Sequence, residues 1–277
     1  MTMTEVTVDD LVFDVSIAGE ANAEPVVLLH GFPQTHACWD RVAPTLVEHG
    51  LFTIAPDQRG YSPGARPLGT DAYRVENLVG DIVGILDALG LESAYVVGHD
   101  WGAAVAWQLA ARHPERVRSL VAVSVPHTAA FNQALREDAD QRERSTYMGL
   151  LRQAGKAEEV LLEDDARRLR AMFSERSPDD RYVRHLQEPG ALTAALEWYR
   201  AMTNEFGRLA PVTVPTTYVW SNQDSAIGRA GAELCGEHVD ADYTFVELDG
   251  ISHWIPEEAP DRLADEILRR VAQSRVS

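Results

Sequence analysis

Val96-Val97-Gly98-His99-Asp100-Trp101-Gly102 is the stretch on which the reading of this 277-residue chain turns. Residues 93–97 are short, apolar and β-prone and predict a buried strand, whereas residues 101–112 (WGAAVAWQLAAR) predict a helix. The strand passes into the helix over a single sharp turn. Gly98 and Gly102 bracket Asp100 at a small-x-nucleophile-x-small spacing, which allows unusual dihedrals and lets the helix pack close to the strand. Such an elbow lifts its central side chain off the sheet edge and aims backbone N–H groups at whatever that side chain attacks.

The usual occupant of this turn is serine, and a carboxylate there changes the chemistry. A serine attacking saturated carbon would make an ether, a dead end. A carboxylate makes an alkyl ester, which water can hydrolyse at the carboxylate's own carbonyl. Asp100 therefore points to substitution at sp³ carbon. The alternative is that Asp100 only caps the helix that follows it.

Outward from the elbow, strands and helices alternate. Residues 5–8 and 11–18 predict a hairpin turning at Asp9-Asp10, and the apolar run 25–29 (PVVLL) predicts a strand buried on both faces. The turn His30-Gly31-Phe32-Pro33-Gln34 follows it, then a helix within 38–48, a strand at 52–55, a helix over 75–89 and, after the elbow helix, a strand over 117–125. This order demands a mostly parallel sheet sandwiched by helices. From 127 to 209 the alternation stops in a charged, helix-prone segment broken at Ser177-Pro178-Asp179-Asp180 and Glu188-Pro189-Gly190. It predicts an inserted helical cap (127–209) on a discontinuous core (1–126 and 210–277). Alternation resumes with a strand at 215–220, a helix at 229–235, a strand at 243–248 and a last helix at 261–271.

The formal charge of −18 argues against nucleic acid and anionic membrane surfaces as partners. The N-terminal MTMTEVTVDD has neither the basic nor the apolar region of a signal peptide, and no apolar run reaches membrane-spanning length. With only Cys38 and Cys235, a reduced cytoplasmic protein is expected. Phosphate-loop, dinucleotide and zinc-protease motifs are all missing from the sequence, so no cofactor or metal is called for.

Two further residues complete the elbow. His253 lies in the loop after the last strand, and Asp224 lies in Trp220-Ser221-Asn222-Gln223-Asp224 after the preceding one. Both fall on the ligand-facing edge of a parallel sheet with Asp100, in the order nucleophile, acid, histidine. The 117–125 strand ends in Ser124-Val125-Pro126 and offers no acid, Asp249 reads as a turn residue, and His99 reads as packing. In the HGFPQ turn, Gly31 and Pro33 direct the Phe32 N–H toward the site beside that of Trp101, an oxyanion hole.

These residues resemble the epoxide hydrolases of the α/β-hydrolase fold along the whole chain: HGFPQ at 30–34, DQRGYSPG at 57–64, GHDWG at 98–102, WYR at 198–200, Asp224, and SHW at 252–254. The resemblance implies an eight-stranded, mostly parallel sheet with a cap, and two cap tyrosines acting as acids on the epoxide oxygen. Tyr199 matches one of them. Tyr147 resembles the other, with Tyr182 as the alternative. Phe32, Trp101, Trp198 and Trp254 are implied around the substrate. The expected partner is a small apolar epoxide, and the expected state is a monomer or homodimer. A haloalkane dehalogenase shares the nucleophile, histidine and acid but needs halide donors, and Phe32 stands where many of them carry Asn. The third reading is a non-catalytic ligand-binding α/β-hydrolase.

Overall fold

The strand before the elbow runs over Ala94–His99 in the computed structural model, which describes residues 1–173, 180–203 and 206–275. Every residue of this strand is buried. Among the described residues eight strands form one sheet: β1 (Thr2–Val8), β2 (Leu11–Ala18), β3 (Glu24–Leu29), β4 (Leu51–Pro56), β5 (Ala94–His99), β6 (Val117–Val123), β7 (Thr216–Ser221) and β8 (Tyr243–Leu248). Their order across the sheet is β1-β2-β4-β3-β5-β6-β7-β8. β2 runs antiparallel to β1 and β4, and the other neighbours are parallel. The loops after β3, β5, β6, β7 and β8 therefore leave the same edge.

Period-two alternation sorts the core onto two faces. Val26 and Leu28 of β3 point to the face covered by α1 (Ala43–Glu48) and the last helix, whereas Val27 and Leu29 point to the face covered by α2 (Val75–Ala88) and α3 (Trp101–Arg112). Both faces are apolar, which is why PVVLL reads as a continuous run instead of an alternating one.

Between β6 and β7 the chain makes α4 (Thr128–Glu137), α5 (Ala139–Arg144), α6 (Met148–Leu151), α7 (Lys156–Arg170), α8 (Asp180–Leu186) and α9 (Ala191–Ala201). α7 leaves helical dihedrals at residues 163–166. This insertion lies over the shared strand edge. Arg144 Nη1 donates to the Asp224 carbonyl at 2.6 Å, Gln141 Nε2 to that of Ala226 at 2.8 Å, and the Trp198 indole to that of Arg59 at 2.9 Å. The expected break at Glu188-Pro189-Gly190 falls between α8 and α9, with Gly190 at φ 78°. Positions 177–179 of the other expected break lie outside the described residues.

α10 (Arg229–Leu234), α11 (Ile255–Glu258) and α12 (Pro260–Ser274) complete the chain. α12 packs Leu263, Ile267 and Val271 on the sheet, and buried Arg270 bonds the Thr217 and Thr244 hydroxyls at 2.8 and 2.9 Å. The helix expected within 38–48 is two pieces. Residues His36–Trp39 form a 3₁₀ turn capped by Thr35, and α1 begins so that Pro44 stands in its first turn, where its missing N–H costs nothing. The strand expected to reach residue 125 stops at Val123 because Ser124 adopts φ 68°. Among the described residues no helix is long and apolar enough to cross a membrane.

Candidate active site

Asp100 sits between β5 and α3 with φ 53° and ψ −121°. Its carboxylate makes no capping bond to the helix, so the capping alternative fails and the side chain is left for another partner. The turn is possible only because its flanks are bare: a Cβ on Gly98 would stand 2.2 Å from the Gly102 carbonyl oxygen, and one on Gly102 would stand 2.1 Å from that of Leu29.

The two carboxylate oxygens face different partners. Oδ1 accepts a 2.9 Å hydrogen bond from the Phe32 N–H, while Oδ2 lies 3.5 Å from His253 Nε2. Gly31 permits this approach, since a Cβ there would come within 2.3 Å of Oδ1. Trp101 opens α3, so its N–H has no intrahelical partner and is free to serve an oxyanion beside Phe32.

On its other side, His253 Nδ1 lies 3.0 and 2.9 Å from the two oxygens of Asp224. Asp224 is fully buried, and its Oδ1 also accepts from the N–H groups of Ala226 and Ile227 at 2.8 and 2.9 Å. Burial opposes its ionisation, but the His253 charge and these donors outweigh burial and hold the pKa below the usual carboxylate range. For His253 burial again works against the charged form. The flanking carboxylates Asp224 and Asp100 win, raising its pKa above the ordinary imidazole value.

Ser124 is a member of this group that the sequence reading passed over. Its hydroxyl donates to Asp224 Oδ2 at 2.7 Å and stands 2.9 Å from His253 Nδ1, while its own carbonyl accepts from the Tyr218 hydroxyl at 2.6 Å. Its position was the one signal available: it follows the strand end next to the one that carries the elbow.

Tyr147 and Tyr199 come from the insertion. Their rings meet edge to face at 6.5 Å, and both line the two cavities that open on Asp100. Burial raises both phenol pKa values; next come the Asp100 charge for Tyr147, and the Tyr147 phenol and then Asp100 for Tyr199. Both hydroxyls stay protonated at neutral pH and can donate. Tyr199 also packs edge-on against Trp101 and Phe32, at 5.1 and 5.5 Å. One cavity, about 270 Å³, is walled by Phe32, Met172, His253 and Trp254; the other, about 50 Å³, by Ala104, Val125, Phe131, Met148 and Ile227.

Two expected site residues stand elsewhere. Tyr182 is buried outside both cavities, its ring stacked on Phe173 and its hydroxyl 3.0 Å from Glu257 Oε1. Trp198 lies behind Trp101 at 5.6 Å, and its indole N–H is spent on Arg59, so it supports the wall and does not face the cleft. Asp249 accepts from Asn222 at 2.7 Å, consistent with a turn residue.

Comparison with known proteins follows the same lines. The sequence model of the α/β-hydrolase fold family matches residues 24–260. Mouse epoxide hydrolase 3 is 30% identical over 89% of this chain and 70% of its own. The chain belongs to the epoxide hydrolases of the α/β-hydrolase fold. Within that superfamily, the AB hydrolase superfamily protein YfhM of Bacillus subtilis is 35% identical over 92% of both chains. The crystal structure of epoxide hydrolase A from Mycobacterium thermoresistibile is similar with a TM-score of 0.85 and 28% identity, covering 98% of both chains. The groups gathered at this cleft are two carboxylates, one imidazole and two phenols.

Proposed function

We propose that this chain hydrolyses a small apolar epoxide to a vicinal diol through a covalent ester on Asp100. Asp100 Oδ2 attacks one epoxide carbon, and the C–O bond to the ring oxygen breaks. Tyr147 and Tyr199 hydrogen-bond that oxygen as it becomes an alkoxide, a base strong enough to take a proton even from a phenol of raised pKa. Ester formation removes the Asp100 charge, one of the two anions that keep His253 protonated. The imidazolium gives its proton to the tyrosinate that the alkoxide has left, and the neutral imidazole can then act as a base. His253, oriented by Asp224, takes a proton from water, whose oxygen adds to the Asp100 carbonyl carbon. The Phe32 and Trp101 N–H groups hold Oδ1 as an oxyanion. The acyl–oxygen bond breaks, Oδ2 takes the remaining proton of the added hydroxyl and leaves in the diol, and Asp100 keeps the oxygen from water as a carboxylate.

The observation that carries this reading is the division of labour on one carboxylate: Oδ1 is held by the Phe32 N–H while Oδ2 faces His253 in a cleft walled by two phenols. The division of the chain into a core of 1–126 and 210–277 and a cap of 127–209 is part of the proposal, supported by the insertion lying over the strand edge. Action in the cytoplasm, as a monomer or homodimer, completes it; the two buried free cysteines fit a reducing compartment. The test is a panel of small epoxides and bromoalkanes with wild type and Asp100→Ala. Diol from epoxides, lost by at least about 10⁴-fold in the variant, is expected. Bromide release without diol contradicts it.

A further inference from the structure

Behind His253, on the side away from the cleft, a line of buried polar side chains leads from its backbone to a carboxyl group. His99 Nε2 lies 2.9 Å from the His253 carbonyl oxygen, and His99 Nδ1 lies 3.0 Å from Gln34 Oε1. The other end of that amide meets Glu257 Oε1, which the Tyr182 hydroxyl also approaches at 3.0 Å. His99 and Gln34 are fully buried. Glu257 Oε2 is shut off from solvent and has no hydrogen-bond partner.

Hydrogen-bond directions follow from which atoms can donate. A carbonyl only accepts, so His99 Nε2 carries a proton. Burial and the His253 charge push the His99 pKa down to about 4, so at neutral pH the ring is neutral and Nδ1 is bare. A bare nitrogen needs a donor, so the Gln34 amide is turned over, with NH₂ in place of Oε1 against His99; the two ends of an amide are assigned by their partners. The Gln34 oxygen then faces Glu257 Oε1, and two oxygens share that contact only with a proton between them.

We infer that Glu257 is a neutral carboxylic acid and a positioning residue, whose proton sets every bond from Glu257 through Gln34 and His99 to the His253 carbonyl in one direction. Ionised, Glu257 would draw the Gln34 NH₂ to itself and turn the amide oxygen toward Nδ1. The His99 proton then moves to Nδ1, and a bare Nε2 is left against the His253 carbonyl. The loop that carries the catalytic imidazole loses a tie.

The surroundings of Glu257 agree. Burial is the largest influence on its carboxyl and raises the pKa to about 7, against the Tyr182 hydroxyl and the more distant His253 charge. The buried Cys38 thiol stands nearby, and Arg41 donates to the Glu257 backbone carbonyl at 2.6 Å, leaving the carboxyl alone. Among the described residues no cation forms an ion pair with that carboxyl. Because the pKa is raised, the one-directional chain is present below about pH 7 and is lost as pH rises through it.

Infrared spectroscopy of the full chain tests the protonation without any substrate. A protonated-carboxyl C=O stretch is expected at pH 6, weakening as pH rises and missing from E257Q. Its absence from wild type at pH 6 overturns the inference. The kinetic arm rests on the proposed ester chemistry and follows hydrolysis of the trapped ester. At pH 6, E257L, which offers no donor to Gln34, is expected to slow this step about tenfold, and E257Q, whose NH₂ can donate to Gln34, to restore it to within about twofold. Between pH 6 and 9 wild type should fall about fivefold relative to E257Q. Equal rates for E257L and E257Q at pH 6 overturn the positioning role. If no epoxide yields an ester, the proposed function fails and the infrared result still decides the state of Glu257.

Discussion

Asp100, Asp224 and His253 each stand on a turn that follows a strand of the sheet, while Tyr147, in the turn before α6, and Tyr199, on α9, reach the same cleft from the insertion laid over the sheet edge. The first three are held by backbone: β5, β7 and β8 fix where their turns emerge, and N–H groups of Phe32, Ala226 and Ile227 hold the two carboxylates. The tyrosines are held by packing against one another and against Trp101 and Phe32. In the proposed mechanism the sheet edge supplies the groups that make and break the ester, and the insertion supplies those that manage the leaving oxygen. If this division is sound, damage to each side should appear in a different step.

The largest separation is expected from His253→Gln. Alkylation should stay within about tenfold of wild type while ester hydrolysis falls about 10³-fold, so that ester-bearing protein accumulates and is seen by intact mass. In wild type the ester form has lost the Asp100 anion, so His253 should titrate lower there than in the free enzyme, and hydrolysis should rise with pH through that lower value. The mirror experiment is Tyr199→Phe and Tyr147→Phe. Each should slow alkylation about 10²-fold in single-turnover kinetics and leave ester hydrolysis nearly unchanged. Equal losses in both steps would erase the distinction between the two regions.

The same contrast explains what could be read from the chain. The elbow, the HGFPQ turn and the two loop residues were legible because strand ends and glycines leave local marks, and topology carries those marks to one edge. Ser124 shares only the strand-end position: its role comes from a φ of 68° and from neighbours 100 and 129 positions away. Choosing Tyr147 over Tyr182 for the cleft depended on how the inserted helices pack, which residue spacing does not record. Trp198 shared a motif with Tyr199, but adjacent positions on α9 point in different directions, one behind Trp101 and one into the cleft. Glu257 and His99 were hidden for a further reason, since a buried relay has no sequence signature.

A smaller effect sharpens the account on the sheet side. Ser124→Ala removes one donor to Asp224 and leaves the N–H groups of Ala226 and Ile227 in place, so ester hydrolysis should slow about tenfold with alkylation unaffected. Slower alkylation instead would mean that Ser124 serves the nucleophile.

The claim beneath both halves of the comparison is that Asp100 bonds to carbon and is renewed by water. A single turnover in ¹⁸O-water with excess protein over epoxide, followed by mass analysis of the peptide containing Asp100, measures it directly. The account predicts one heavy oxygen in the Asp100 carboxylate and an unlabelled diol. Label in the diol with none in Asp100 would contradict it.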